Sequence, residues 1–198
     1  MSQGLKGPGP SERPHPEGRR NSQGFRIDPV TEAEAPQRRA VVSALVEHEP
    51  GVLAKVSGLF ARRQFNIESL TVGPTENEDY ARITLVVEEP EPGIAQVEKQ
   101  LEKLVPVVAV DELESDAISR ELCLIKVDGE ELDHVHAATA MYDADVVDSS
   151  DGTVTIEMTG SQQKIDAAIE TFERFDILEL ARTGAAALER GDQMTTSW

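Results

Sequence analysis

The chain has 198 residues, enough for one large or two small domains. It carries 37 acidic against 19 basic residues, a formal charge of −18. That balance excludes a nucleic-acid surface, because phosphate contacts need clustered Lys and Arg, and it argues against binding to an anionic membrane surface. No apolar run approaches the roughly 18 residues that span a bilayer, and the N-terminus lacks a signal-peptide core. We therefore expect a soluble, cytoplasmic protein.

The acidic excess is dispersed along the chain, and 13 of the basic residues are Arg and only 6 are Lys. A dispersed acidic, lysine-poor surface suits a cytoplasm rich in salt, where screening weakens self-repulsion. The composition thus predicts a halophilic protein. A purified chain that folds and assembles fully in low-salt buffer would contradict this prediction.

The predicted elements begin after a tail at 1–37, where prolines stand among Gly, Ser, Glu and Arg. With few apolar residues and no period, this tail is predicted to be disordered. Apolar periodicity then predicts six elements: a strand over 39–47, a helix over 51–63, strands over 65–72 and 80–87, a helix over 94–104 and a strand over 105–110.

The second half repeats that order. Its predicted elements are a strand over 121–127, a helix over 132–141, strands over 145–148 and 153–158, a helix over 165–172 and a strand over 175–181. The last stretch, from Thr183 on, is interpreted as a short helix and a frayed end. The fold class is therefore α+β, with two ferredoxin-like β-α-β-β-α-β units placed at 38–114 and 115–198.

Each unit would carry its two helices on one face of a four-stranded antiparallel sheet. The other face of the first sheet, including Leu70 and Val72, would then be exposed in a monomer. An exposed apolar patch predicts association between copies through a sheet face or edge.

The chain is organised around residues 46–75, where five apolar side chains share one face of the first predicted helix. Pro50 suits the start of that helix because its φ is already helical and it lacks an N–H that would be unpaired there. Gly51 leaves the free N–H groups of the first turn open, and such a helix start attracts a small anion such as a carboxylate.

Residues that could support catalysis or metal binding are few. His134 and His136 lie two apart on a predicted helix, so they point to different faces and cannot chelate one metal ion. Cys123, the only cysteine, lies in an apolar strand and is predicted to be a buried structural thiol. The aspartates at 143–151 lack calcium-loop spacing. We expect neither catalytic residues nor a metal or cofactor site in this chain.

An amino-acid ligand needs donors for its carboxylate, acceptors for its ammonium and an apolar wall. The N–H groups near Gly51 and Val52 would supply the donors, the side-chain oxygen of Asn66 an acceptor, and Ile67 part of the wall. On pattern alone, an alternative stays open: the glycine only caps a turn and the asparagine only ends a loop.

Three segments resemble one family closely. HEPGVLAKVSGLFARRQFNIESLTVGPTE at 48–76, EKQLEKLVPVVAV at 98–110 and LELARTGAAALERGD at 178–192 are similar to the small, regulatory subunit of acetolactate synthase (acetohydroxyacid synthase). The resemblance covers about residues 39–192. It implies an N-terminal ACT domain, the amino-acid-sensing β-α-β-β-α-β module, and a C-terminal domain of similar topology.

The resemblance also implies a function without catalysis. Small subunits bind the large catalytic subunit, which uses thiamine diphosphate, Mg²⁺ and FAD to condense pyruvate with a second 2-keto acid. They raise its activity and confer feedback inhibition by valine, in some members also by isoleucine or leucine.

The family's effector lies between the ACT domains of a homodimer. Its contacts map onto Gly51 and Val52 of one protomer and onto Asn66 and Ile67 of the other. His48 stands where the family often has Asn or Asp. A neutral imidazole can accept a hydrogen bond from the ligand ammonium, whereas a protonated one would repel it.

Two other functions were considered. A free-standing ACT-type sensor of another enzyme or regulator would recover no thiamine-dependent enzyme in a pull-down. A small enzyme in its own right would turn over pyruvate alone, and the missing catalytic constellation argues against it.

Overall fold

The computed structural model describes residues 37–196. The first of its two units contains, in chain order, β1 (Arg38–Glu47), α1 (Val52–Arg63), β2 (Ser69–Pro74), β3 (Tyr80–Glu89), α2 (Glu91–Leu101) and β4 (Val107–Glu112). The second contains β5 (Ile118–Asp128), α3 (Leu132–Met141), β6 (Asp145–Ser150), β7 (Thr153–Gly160), α4 (Gln162–Phe172), a 3-10 turn (Glu173–Phe175), β8 (Ile177–Arg182) and β9 (Ala186–Leu188). The predicted disordered tail at 1–37 falls, except for its last residue, outside the described residues.

Both units have the same antiparallel topology. The first sheet has the order β2-β3-β1-β4 and the second the order β6-β7-β5-β8. Each is the arrangement expected of a β-α-β-β-α-β unit, so the predicted fold class of two ferredoxin-like units is confirmed. Where one unit ends and the next begins, between 114 and 115, stays a prediction.

Each unit has its own apolar core between its sheet and its helices. In the first, α1 buries its periodic residues against alternate residues of β1 and β3, with Phe60 only 2% exposed. In the second, Phe172 of α4 is fully buried with Ile125 and Ile156. Among residues 37–196, no helix is both long and apolar enough to cross a bilayer.

The predicted strand over 65–72 begins later than expected, at Ser69. Residues 65–68 form the α1–β2 loop, because the chain is still leaving the helix there. Gln64 adopts a left-handed φ of 59°, and the Phe65 N–H donates to Phe60 O at 3.2 Å, as in a Schellman cap. The Phe65 ring then packs edge-on against Phe60, with 5.9 Å between ring centroids.

The predicted terminal helix is wrong. Ala186–Leu188 form strand β9, which pairs antiparallel with Ile118–Arg120 at the start of β5. The Ala-rich sequence has high helix propensity, but burial of Ala185 and Ala187, at 7% and 5% exposure, overrides that weak local preference.

The prediction that one face of the first sheet is open is largely wrong as well. Ser43 and Leu45 point away from the helices and are nevertheless buried. The C-terminal segment covers this region, and Thr196 accepts a hydrogen bond from Arg82 of β3 at 2.8 Å. The predicted placement of Leu70 and Val72 on this face is also wrong, because they lie opposite Leu85 and Ile83, whose side chains belong to the core on the helix side. Leu70 is half-buried there, and Val72 is 44% exposed at the edge of the sheet.

Candidate functional site

The start of α1 is an open helix terminus. Gly51 is the N-cap with φ 87°, and no side chain caps the helix. A methyl group placed on Gly51 would meet no atom of residues 37–196 within 4 Å. The first turn contains no acidic residue. A small anion could therefore reach the backbone here without displacing a side chain.

The backbone N–H groups of this first turn are the potential donors. The first intrahelical bond runs from Lys55 N–H to Gly51 O at 3.1 Å, and the Val52 N–H has only a long 3.5 Å contact with Glu49 O. The N–H groups of Leu53 and Ala54 precede that first bond. Donors of this kind, with the positive end of the helix dipole, suit a carboxylate.

The side chain of Val52 does not face the helix start. It is 5% exposed and belongs to the core of the first unit. At this position only the backbone N–H, with its long contact to Glu49 O, could serve a ligand. The site's apolar wall must come from other residues.

His48 lies on the exposed loop between β1 and α1. Its N–H donates to Asp79 O at 2.8 Å, and its Nδ1 lies 3.3 Å from Glu78 O. Both contacts tie His48 to the β2–β3 turn. The exposed imidazole stands three residues before Gly51.

Asn66 and Ile67 lie in the α1–β2 loop. Asn66 is exposed, and its Nδ2 donates to Glu68 Oε1, which leaves its side-chain oxygen as an acceptor. Ile67 is half-buried against the first core. Within residues 37–196, the described hydrogen bonds of His48 and Asn66 run to the β2–β3 turn and to Glu68, not to each other. The two groups of predicted residues thus occupy loops at opposite ends of the twelve-residue helix α1, about 18 Å apart, and their meeting across a dimer stays a prediction.

The structure also shows the surroundings of two other candidate residues from the sequence, Cys123 and His134. Cys123 is fully buried, and burial raises the pKa of its thiol, as expected of a structural cysteine. His134 is exposed, and its Nδ1 lies 3.0 Å from Glu131 Oε2. In the described part of the chain, no three His, Cys, Asp or Glu residues cluster as metal ligands.

Sequence reasoning missed a buried ion pair in the second unit. Glu121 of β5, with a side chain 7% exposed, accepts two hydrogen bonds of 2.8 Å from Arg182 of β8, and Arg182 also binds Asp166. The bonds from Arg182 hold the pKa of Glu121 below its usual range, although burial opposes them. The only signal in the sequence was the charged Glu121 at the start of an apolar strand. Its partner Arg182 lies 61 residues further along the chain.

The turn at 183–185, which follows Arg182, was also missed. It lies against β2 of the first unit, where the Ala185 N–H donates to Ser69 Oγ at 3.1 Å. A cavity of about 340 Å³ beside it is lined by both units, with Arg39, Leu70 and Gln162 among its residues. A separate groove of about 540 Å³ between the first sheet and β9 contains none of the five predicted effector residues.

Comparison with known proteins agrees with the three resembling segments. A model of the small-subunit-like ACT domain of acetohydroxyacid synthase matches residues 42–109, and a model of the acetolactate synthase small subunit matches residues 120–191. Together they cover most of the described chain.

Individual relatives span the same region. A probable acetolactate synthase small subunit of Archaeoglobus fulgidus is 46% identical over 154 residues, 77% of this chain and 97% of the relative. The small subunit of Mycolicibacterium smegmatis is 44% identical over 153 residues, 76% of this chain and 90% of the relative.

A solved structure extends the match to three dimensions. The crystal structure of the acetolactate synthase small subunit of Thermotoga maritima has 37% sequence identity and a TM-score of 0.73, covering 79% of this chain and 99% of that one. Sequence, family models and backbone therefore agree over both units, and the chain belongs to the family of acetolactate synthase small subunits.

Proposed function

We propose that this chain is a non-catalytic regulatory subunit that binds and activates the large subunit of acetolactate synthase and makes it sensitive to valine, or to isoleucine or leucine. The condensation of pyruvate, with thiamine diphosphate, Mg²⁺ and FAD, takes place on the large subunit. The chain itself needs no cofactor. It works in the cytoplasm, and its acidity adapts it to high salt.

The observation that carries the proposal is the open start of α1. Gly51 provides a left-handed cap without a side chain, and the first turn is free of acidic residues. An amino-acid effector always presents a carboxylate, and this terminus offers N–H donors and a positive dipole end to it. Family membership then makes a branched-chain amino acid the expected effector.

The loops at the two ends of α1 offer the remaining groups that the effector needs. The side-chain oxygen of Asn66 is an acceptor for the ammonium, and the His48 imidazole is a second one when neutral. The half-buried Ile67 provides an apolar wall for a branched side chain. Glycine would find the same polar groups but would bury no side chain there, so affinity should rise from glycine to valine.

We further propose that two copies associate through their first units. Strand β2 is an edge of its sheet, paired on one side with β3, and its Val72 is 44% exposed. An edge of this kind is a template for a second chain. The pairing would bring Asn66 and Ile67 of one protomer to the helix start of the other, so that the dimer builds the site.

Inhibition then requires two arrangements of this dimer. The effector can lower activity only to the extent that it binds the less active arrangement more tightly. A coupling of 1–3 kcal/mol, typical of allosteric proteins, changes affinity about 5- to 150-fold. Tight binding without such a preference would leave the large subunit uninhibited.

The test is acetolactate formation by the cognate large subunit, with and without this chain, at multimolar KCl. We expect higher activity with the chain, and inhibition as valine is titrated in. Calorimetry of the chain alone, with valine, leucine, isoleucine and glycine, separates binding from inhibition. No activation by the chain would contradict the regulatory assignment, and no heat from any branched-chain amino acid would contradict the effector site.

A further inference from the structure

The turn at 183–185 joins the two units at the start of β2, two to three residues after Ile67 and Asn66 of the α1–β2 loop. Thr71 Oγ1 of β2 donates to Thr183 O at 3.3 Å, and the Ala185 N–H donates to Ser69 Oγ at 3.1 Å. Gly184 lies between these two bonds. We call this set of contacts, made by Thr183, Gly184 and Ala185 with Ser69 and Thr71, the β2 clasp.

Gly184 is required at the centre of the clasp for two independent reasons. Its φ is +81°, a conformation that disfavours any side chain. A Cβ there would also lie 2.5 Å from Ser69 Oγ and 2.9 Å from Thr71 Oγ1. At the three other positive-φ glycines of residues 37–196, Gly51, Gly152 and Gly191, a Cβ would meet nothing within 4 Å. Close approach to β2 is therefore particular to Gly184.

The same turn is held firmly by the second unit. The Thr183 N–H donates to Leu122 O at 3.0 Å, and the Leu122 N–H donates to Thr183 Oγ1 at 3.1 Å. Directly before the turn, Arg182 donates two hydrogen bonds to the buried Glu121. The Gly184 backbone N–H also donates to that carboxylate and lowers the pKa of Glu121 further.

The other half of the β2 clasp, Ser69 and Thr71, lies on β2, the strand that directly follows the α1–β2 loop. Ser69 follows Asn66 by three residues and Ile67 by two, with only Glu68 between Ile67 and the strand. A change in the α1–β2 loop must therefore pass into Ser69 through at most two intervening residues. The hydroxyl contacts at 3.1–3.3 Å to partly exposed residues are weaker than the charged, buried anchor on β5, so displacement should occur at the β2 side.

We propose that the β2 clasp is the coupling through which an amino acid at the effector site acts on the second unit, with Gly184 as its positioning residue. This inference rests on the proposed function. Binding at the α1–β2 loop shifts β2, and the clasp transmits the shift to β5 and β8. A coupling of this type needs one element whose arrangement both sites bias, and β2 with its clasp is that element.

The test uses the full chain with its large subunit and two kinds of clasp variant. Gly184→Ala forces the turn away from β2. The double variant Ser69→Ala/Thr71→Val removes the two hydroxyls without straining the backbone, so it remains informative if Gly184→Ala folds poorly. Matched controls lie in the β6–β7 turn: Gly152→Ala, at φ +78° with open space, and Thr153→Val, which removes a 3.0 Å bond to Ser150 O.

We expect both clasp variants to bind valine by calorimetry within about threefold of wild type, since the effector residues are untouched. At saturating valine, the fraction of activity that is inhibited should fall to less than half of the wild-type value. Both control variants should keep wild-type binding and wild-type inhibition.

Three results would overturn the inference, and they are distinguishable. If wild type is inhibited and both clasp variants are inhibited equally well, the coupling runs elsewhere while the proposed function stands. If wild type binds no branched-chain amino acid, the proposed effector site fails and the coupling fails with it. Loss of inhibition in the β6–β7 controls as well would assign the effect to strain in general and would also overturn the role of the clasp.

Discussion

The two units share a topology, but the first turns of their first helices differ in charge. Helix α1 starts after Gly51 and has no acidic residue in its first turn, whereas α3 starts after Glu131 and has Asp133 in its first turn. Asp128 lies just before α3 and accepts a hydrogen bond from the Glu130 N–H. Acidic residues precede both helices, Glu49 before α1 and Asp128 before α3, so what distinguishes the two starts for a carboxylate ligand is Asp133 in the first turn of α3. Under the proposed function, repetition of the fold therefore does not repeat the site.

Carboxylates with shifted pKa values also differ between the units: Glu98 is half-buried and Asp111 exposed in the first, and Glu121 is buried in the second. In the first unit, burial and neighbouring acids raise the pKa of Glu98 and of Asp111. In the second, Arg182 lowers the pKa of Glu121. The charges of Glu98 and Asp111 thus oppose folding near neutral pH, while the charge of Glu121 favours it.

The largest expected effects test whether the two apolar cores contribute equally to the stability of the chain. Phe60→Ala and Phe172→Ala each remove a buried ring, so each should lower the free energy of unfolding by about 3–5 kcal/mol. Denaturant unfolding of the full chain at fixed KCl measures both. Leu178→Ala, at a side chain 55% exposed, is the control and should change it by less than about 0.5 kcal/mol. A small loss for one of the two phenylalanines would show that its unit contributes little.

The next largest effect concerns Glu121 and Glu98, whose pKa values are shifted in opposite directions. Glu121→Gln removes the charge that Arg182 binds and should cost about 2 kcal/mol at pH 7. Because the folded pKa of Glu121 is depressed, its contribution is complete above the unfolded value of about 4.3 and is lost as pH falls through the folded pKa. Wild type and variant should therefore converge in stability only as pH falls below the depressed folded pKa of Glu121.

Glu98→Gln is the matched comparison in the first unit. The pKa of Glu98 is raised, so its charge costs stability at neutral pH, and removing it should be neutral or stabilising there. Denaturation curves between pH 3 and 7 measure both variants. A gap for Glu121→Gln that stays constant over this range would contradict the linkage.

A charge added at α1 tests the electrostatic comparison directly. Gly51→Asp makes the start of α1 resemble that of α3, and it should weaken valine binding about tenfold, or about 1.4 kcal/mol. Asp is a favourable N-cap residue, which partly offsets the strain of positive φ. Calorimetry of the full chain measures binding, and Gly152→Asp in the second unit is the control. Unchanged binding in Gly51→Asp would place the carboxylate elsewhere.

The smallest expected effect on binding concerns the ammonium group of the amino-acid effector. Asn66→Ala removes one neutral acceptor and should raise the valine inhibition constant about fivefold, or about 1 kcal/mol, with activation of the large subunit retained. Gln163→Ala, an exposed amide on α4, is the control. Loss of activation with inhibition intact would contradict the role of Asn66.

Part of the candidate site could be predicted because it depends on residues close in sequence. Pro50 and Gly51 mark a helix start by their own backbone preferences, and Val52, Val56 and Phe60 define its buried face by spacing alone. The loop at 65–68 was misassigned as strand because alternation of apolar residues also fits a chain leaving a helix through a Schellman cap.

The sequence by itself determined the type and order of the twelve helices and strands of the two β-α-β-β-α-β units, since periods of two and 3.6 residues need only neighbours along the chain. Tertiary structure alone decided that the Ala-rich segment is strand β9 rather than a helix, and that Glu121 meets Arg182. It also decided that Gly184 rests on Ser69, 115 positions earlier in the chain. Contacts so distant in sequence leave no local period, because which strand lies beside which is settled only when the whole core packs.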